Sequence, residues 1–96
     1  MLNLTAIWHR IFPPKKKQEW SIGIYEGSNP LSMSPAKKNP VLTKDDITDR
    51  NAAYVADPFM IKVKDTWYMF FEVRNAESYL TELAYATSFD GYNWTY

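Results

Sequence analysis

The second half of the chain is rich in apolar, β-branched and aromatic runs bounded by turn residues, the signature of strands rather than of helices. Val55 to Val63 and Trp67 to Val73 form two such runs, joined by the short polar link Lys64-Asp65-Thr66, and predict an antiparallel hairpin. Inside the second run Tyr68-Met69-Phe70-Phe71 is almost continuously apolar, which predicts a strand covered on both faces. A third strand over 83–87 leads into Ser88-Phe89-Asp90-Gly91-Tyr92-Asn93-Trp94. There Asp90-Gly91 is a strong turn signal and Trp94 opens a further strand.

The first half is less regular. Trp20, Ile22 and Ile24 alternate with smaller or more polar neighbours and predict a half-buried strand, ended by the turn residues Gly27-Ser28-Asn29-Pro30. The loop that follows holds Pro30, Pro35 and Pro40, too proline-rich for regular structure. Thr43-Lys44-Asp45-Asp46 resembles a capping box with Asp46 in the place of Glu or Gln, so one helical turn is expected to start there. Asp45, Asp46 and Asp49 read as acids of a helix start; the spacing is not that of a calcium loop and no glycine turns the chain. At the N-terminus Leu4, Ile7, Trp8 and Ile11 recur at helical spacing before Pro13-Pro14, then the solvated run Lys15 to Lys17. The expected organisation is an arm over 1–19, helical in part, and a β unit over 20–96.

Composition narrows the function. Ninety-six residues allow one small domain. Eleven Lys+Arg against eleven Asp+Glu leave no electrostatic footprint for nucleic acid. The absence of cysteine excludes disulfides, thiolate metal sites and thiol nucleophiles, and the single His9 excludes a multi-histidine metal site. No metal or cofactor is therefore expected. The apolar start, Met1 to Phe12, is too short and too interrupted to span a bilayer, and its positive charges follow the apolar stretch where a secretory signal has them before it. A cytoplasmic protein is the resulting expectation. Four Trp, seven Tyr and five Phe fit a β protein or a carbohydrate-facing surface.

The residues with most chemical content are Ala56-Asp57-Pro58-Phe59. Pro58 has no N–H and biases Asp57 toward an extended backbone, so the carboxylate can stand at the mouth of a cavity as a general base or an acceptor for sugar hydroxyls. Its alternative is an aspartate that satisfies nearby backbone amides. Glu72 ends the partner strand and is expected near the same cavity, or else at the solvent. Hydrolysis of a glycosidic bond needs two carboxyl groups at a definite separation, which spacing across a hairpin does not fix. Tyr25, Tyr54, Trp67 and Tyr68 offer faces on which a sugar can stack, or fill the core; Arg74, Asn75 and Glu82 are polar positions within reach of a ligand.

Taken together, 55–61, 67–73 and 82–94 resemble the first blade of the five-bladed β-propeller shared by glycoside hydrolase families 32, 43, 62 and 68. Trp20 to Tyr25 and Asn39-Pro40-Val41-Leu42 look closer to one branch, the N-terminal propeller domain of glucosamine inositolphosphorylceramide transferases and of related bacterial proteins. The resemblance implies an all-β fold of antiparallel strands. It also implies that Asp57 is the base or nucleophile of blade one, with Glu72, Trp67, Tyr54 and Arg74 as substrate contacts. The general acid of those hydrolases comes from a later blade. A blade takes about 40–50 residues, so roughly one fits here and the isolated chain is expected to be inactive. The expected partner is carbohydrate. The alternative readings are a sugar-binding module without chemistry, and a structural β module that self-associates through open strand edges.

Overall fold

A computed structural model describes residues 19–96. The arm over 1–19, where a helix is expected at Leu4 to Ile11, lies almost wholly outside the described residues. The fold is all-β, with a single short 3-10 turn among the described residues. β1 (Tyr25–Gly27) and β2 (Met33–Pro35) make a small antiparallel ribbon. β3 (Ala52–Val63), β4 (Thr66–Asn75) and β5 (Thr81–Ser88) make an antiparallel meander in the order β3-β4-β5. The hairpin link is two residues, Lys64-Asp65, with Thr66 already in β4. Beyond β5 the chain turns and Thr95 forms a bridge to Thr87, a first rung outside β5.

One face of the meander carries the core. Val55, Met69, Phe71, Val73 and Ala86 project to the same side, where they join Ile22, Leu42 and Ile47 in one buried cluster. Trp94 and Tyr96 pack against it from the chain's other end. The segment before β3 is held there by main-chain bonds: Ile22 N–H to Leu42 O at 2.9 Å, Val41 N–H to Ile22 O at 2.8 Å, and Val55 N–H to Trp20 O at 3.3 Å. Thr43 caps the 3-10 turn Lys44–Asp46 through the expected capping box, its own N–H donating to the Asp46 carboxylate at 2.8 Å.

Three expectations are corrected. The strand predicted over 20–26 shrinks to an isolated bridge at Ile22 and the three residues of β1, with Trp20 exposed. The proline-rich loop is not irregular throughout, because Pro35 closes β2 at its last residue, where a missing N–H disturbs a short strand least. Tyr68 to Phe71 is not covered on both faces. Met69 and Phe71 are buried while Phe70 stands open, so continuous hydrophobicity conceals an ordinary alternation.

The turn after β5 explains its own sequence. Ser88 Oγ accepts from the Asp90 and Gly91 N–H groups, at 3.3 and 2.9 Å, while its hydroxyl donates to the Asp90 carboxylate at 3.0 Å. That carboxylate also accepts from the Tyr92 and Asn93 N–H groups, both at 2.8 Å. Gly91 has φ +83°, and its Cα side faces the Trp67 indole, so a side chain there is strained. Trp94 Nε1–H then donates to Gly91 O at 2.9 Å and sets the indole against the core. Ser, Asp, Gly and Trp each have one task in returning the chain to β5.

Two predictions follow from the packing and the turn. Phe71 is fully buried at the centre of the cluster, so Phe71→Ala is expected to cost about 3–5 kcal/mol. The near-ultraviolet dichroism of the variant should melt far below wild type; an unchanged melt would place the core elsewhere. The second concerns acid. Donated hydrogen bonds hold Asp90 well below the usual carboxylate range, and the Arg50 and Tyr96 bonds hold Asp49 at about 2. Folded-state values below the unfolded ones mean stability present above about pH 4 and lost as pH falls toward about 2. Asp90→Ala should flatten that acid limb of the melting curve.

Candidate functional site

Asp57 sits where the β3–β4 ladder loses register. Ala56 pairs with Glu72 and Phe59 with Phe70, so Asp57 and Pro58 together oppose the single residue Phe71. This is a β-bulge, and it gives Asp57 a φ of +52°. The expectation of an extended Asp57 is thus corrected: the preference imposed by a following proline is overridden by the two-against-one count. Aspartate tolerates the left-handed region better than most residues, and Pro58 removes an N–H that the bulge leaves without a ladder partner. The bulge turns the Asp57 side chain toward that of Glu72, the residue paired with its neighbour Ala56.

The two carboxyl groups are close enough for Asp57 to act on Glu72. The Glu72 carboxyl is held above the ordinary glutamate value of 4.5, first by its contact with Asp57, then by partial loss of water, then by the repulsion of the Asp57 charge. The pair stands on a cleft of ≈ 520 Å³ whose other wall is the segment beside the free edge of β3, with Trp20, Ser21 and Gly23. Tyr54 lines the same cleft, one alternation along β3 from Ala56.

Of the five residues expected at the site, four come together. Asp57, Glu72 and Tyr54 line the cleft. Arg74 is the strand partner of Tyr54 and lies on the same sheet face as Glu72, two residues away. It lines an adjoining hollow of ≈ 540 Å³ together with Tyr54, Asn75 and Tyr79, and its guanidinium donates to Thr81 Oγ1 at 3.3 Å. Trp67 is elsewhere. It lies five residues from Glu72, about 17 Å along the strand and on the opposite face. There its ring packs beneath Gly91 and carries the Lys62 ammonium 5.5 Å from its centroid.

The other polar positions serve structure. Asn75 Nδ2 donates to Glu82 at 2.9 Å, and the Arg50 guanidinium is bound to both Glu82 and Asp49. These bonds hold Glu82 below the ordinary glutamate range, the Asn75 bond first. Asp49, expected among helix-start acids, is instead tied to Arg50 and to the Tyr96 hydroxyl. Trp20 was missed as a site residue because its alternation with Ile22 marks it as core. Its exposure of 58% follows from lying past the end of the buried cluster, which no local pattern records.

The action of Asp57 on Glu72 gives a direct test. Asp57→Asn removes the charge and substitutes an amide donor, so the Glu72 carboxyl should return to 4.5 or below in a carbon-detected titration. A Glu72 value that stays raised in the variant would show that the two carboxyls do not interact. The sign for stability is fixed by the same action. A folded value above the unfolded one stabilises below 4.5 and is lost as pH rises through the folded value, so Glu72→Gln should raise the melting temperature at neutral pH and not under acid.

Among the described residues no helix is long and apolar enough to cross a membrane, and no group of three or more His, Cys, Asp or Glu is placed to hold a metal ion. No solved structure matches the chain. The glucosamine inositolphosphorylceramide transferase 1 of Oryza sativa subsp. indica is 30% identical over 100 residues, which cover 86% of this chain and 13% of the rice protein. The Arabidopsis thaliana protein of the same name is 30% identical over 92 residues, covering 78% of this chain and 12% of its own length. The chain thus spans about an eighth of the curated relatives it matches. Residues 13–96 match the family model described as glucosamine inositolphosphorylceramide transferase 1, N-terminal. With that match over most of its length, the chain belongs to the family of glucosamine inositolphosphorylceramide transferase 1 N-terminal domains.

Proposed function

We propose that the chain is a carbohydrate-binding β unit, the opening blade of a propeller-type domain preceded by the arm over 1–19, and that it holds an amino sugar in the cleft beside Asp57. The observation that carries this reading is the placement of Asp57 and Glu72 side by side at a bulge in the cleft wall. Carboxylates accept from vicinal sugar hydroxyls, and a charge-assisted bond to an ammonium is stronger than a neutral one. Trp20 and Tyr54 bring aromatic rings to the same cleft, which suits the apolar face of a pyranose. The names of the curated relatives carry glucosamine, a sugar with that ammonium. The blade reading draws support from three antiparallel strands in sequence order and from Thr95, which begins a fourth.

Binding is favoured over hydrolysis by the same placement. A retaining glycosidase separates its two carboxyl groups by about 5 Å and an inverting one by more, so that the glycosidic bond fits between them. Asp57 adjoins the strand partner of Glu72 and acts directly on its carboxyl, which leaves no such gap. Asp57 is therefore a sugar contact in this chain, and any role as a base in a larger protein needs an acid from outside residues 1–96. Glucosamine transfer by the whole-length relatives is likewise referred to other parts of those proteins.

The test is a calorimetric or saturation-transfer titration of the 96-residue chain with glucosamine and with glucose. Binding should be weak, on the order of millimolar, because an open cleft offers few contacts. Glucosamine should bind more tightly than glucose, and Asp57→Asn should weaken it at least about tenfold. Equal affinity of wild type and Asp57→Asn would remove the site from consideration. Hydrolysis of an aryl glycoside by wild type, lost in Asp57→Asn, would replace binding by catalysis.

A further inference from the structure

The two arginines among the described residues stand in different surroundings. Arg50 is bound to the carboxylates of Asp49 and Glu82. Arg74 is half-buried on β4, and among the described residues it pairs with no carboxylate; its guanidinium donates to the neutral Thr81 hydroxyl at 3.3 Å. Residues 1–18 hold no Asp or Glu that could neutralise it. A guanidinium carries five N–H donors in a planar fork, and one hydroxyl uses little of that capacity.

The ladder frames this residue. Arg74 pairs with Tyr54, and the register shifts on both sides of the short run 54–56, at Ala53 before it and at Asp57-Pro58 after it. Bulges of this kind re-aim side chains. Tyr79 lies beyond the end of β4 with φ +61°, a backbone conformation unfavourable to tyrosine. It is held there by its N–H to Asn75 O at 3.0 Å and by the Asn75 N–H to Leu80 O at 2.9 Å. Tyr54 and Tyr79 line the hollow of ≈ 540 Å³ together with Arg74 and Lys44. Glu19 is the one carboxylate on that lining, and no ion pair joins it to either cation. Two cations against one carboxylate leave the hollow positive.

We infer that this hollow is an oxyanion site, which takes the carboxylate or phosphate ester of a sugar-sized ligand. Arg74 supplies the fork, Lys44 a second charge, and the Tyr54 and Tyr79 rings flank the ligand's own ring. A guanidinium meets two oxygens of a carboxylate or phosphate at once, where a lysine offers a point charge. A cationic ligand is repelled by Arg74, and a neutral sugar leaves the donors of the fork to water. Asp57 and Glu72 do not line this hollow, so it stands whether or not an amino sugar binds beside them.

The probes are glucose, glucose 6-phosphate, glucuronate and inorganic phosphate, titrated into the 96-residue chain and followed by its amide resonances. Glucuronate and glucose 6-phosphate should each bind at least about tenfold more tightly than glucose, and added salt should weaken both. The resonances that move should be those of 51–54 and 74–79. Arg74→Gln should remove the preference for the anions over glucose, with the circular dichroism unchanged. If that variant misfolds, the wild-type resonances still decide the matter. Equal affinity for glucose and the two sugar anions overturns the inference, as does movement confined to residues outside the hollow. Inorganic phosphate binding as tightly as glucose 6-phosphate overturns the sugar-borne ligand, because the tyrosines would then add nothing. Glucosamine beside Asp57 should instead move the resonances of 20–23, so the failure of one site is distinguishable from the failure of the other.

Discussion

Two residues of β3 have to be accommodated opposite one residue of β4, and much of the rest of the structure answers to that mismatch. Before the bulge Val55 faces the core; after it the alternation is inverted, so Met60 and not Phe59 shares the core side. Had the ladder run straight, Phe59, Ile61 and Val63 would project to the same side as Phe71. Instead they join Phe70, Leu83 and Tyr85 on the open face. The bulge thus creates an apolar surface as well as a polar site. A left-handed non-glycine residue of this kind costs on the order of 1–3 kcal/mol and persists where the surroundings over-determine it. Here Phe71 does so: it is fully buried, and its ring cannot leave the cluster to let the ladder slip.

The bulge also accounts for what the sequence discloses. All three long strands, the hairpin link, the capping box and the Ser-Asp-Gly-Trp turn can be read from alternation and turn chemistry, since each is decided within a few residues. The pairing of Asp57 with Glu72 can be anticipated from the hairpin, because a two-residue link places 56 near 72. Register shifts are different. Whether two residues oppose one depends on which side chains the core will accept, and periodicity in one strand says nothing about it. Asp57 was therefore read as extended. The separation of Trp67 from Glu72 is of another kind: five residues apart on one strand, they take opposite faces by simple alternation. Trp20 belongs to a third kind of error, in which the local pattern is right and the core simply ends.

Membership of a family of transferase N-terminal domains constrains the reading less than the carboxyl pair does. The chain covers 13% of the rice relative's length, and a shared fold does not carry the reaction of a protein eight times as long. What it does carry is a local arrangement that can be argued from charge. Two adjacent carboxyls make this wall of the cleft acidic, and the raised value of Glu72 reflects the nearness of Asp57, partial loss of water and their mutual repulsion. Such a site prefers a cationic or hydroxyl-rich ligand, and it rejects phosphate by repulsion.

Arg74 resolves the remaining electrostatics of that face. It lies two residues from Glu72, yet the raised Glu72 value has no contribution from it. Its guanidinium is turned to Thr81, on the side away from the cleft, and borders the adjoining hollow with Tyr79. The face therefore has an acidic half around Asp57 and a basic half around Arg74, separated by Tyr54, which lines both. A ligand with one cationic and one anionic group a sugar's width apart would satisfy both halves, with the Tyr54 ring beneath its middle. Neither half alone selects strongly, because each charge is near water and screened. The spacing of the two halves is set by the same ladder register that the bulge fixes.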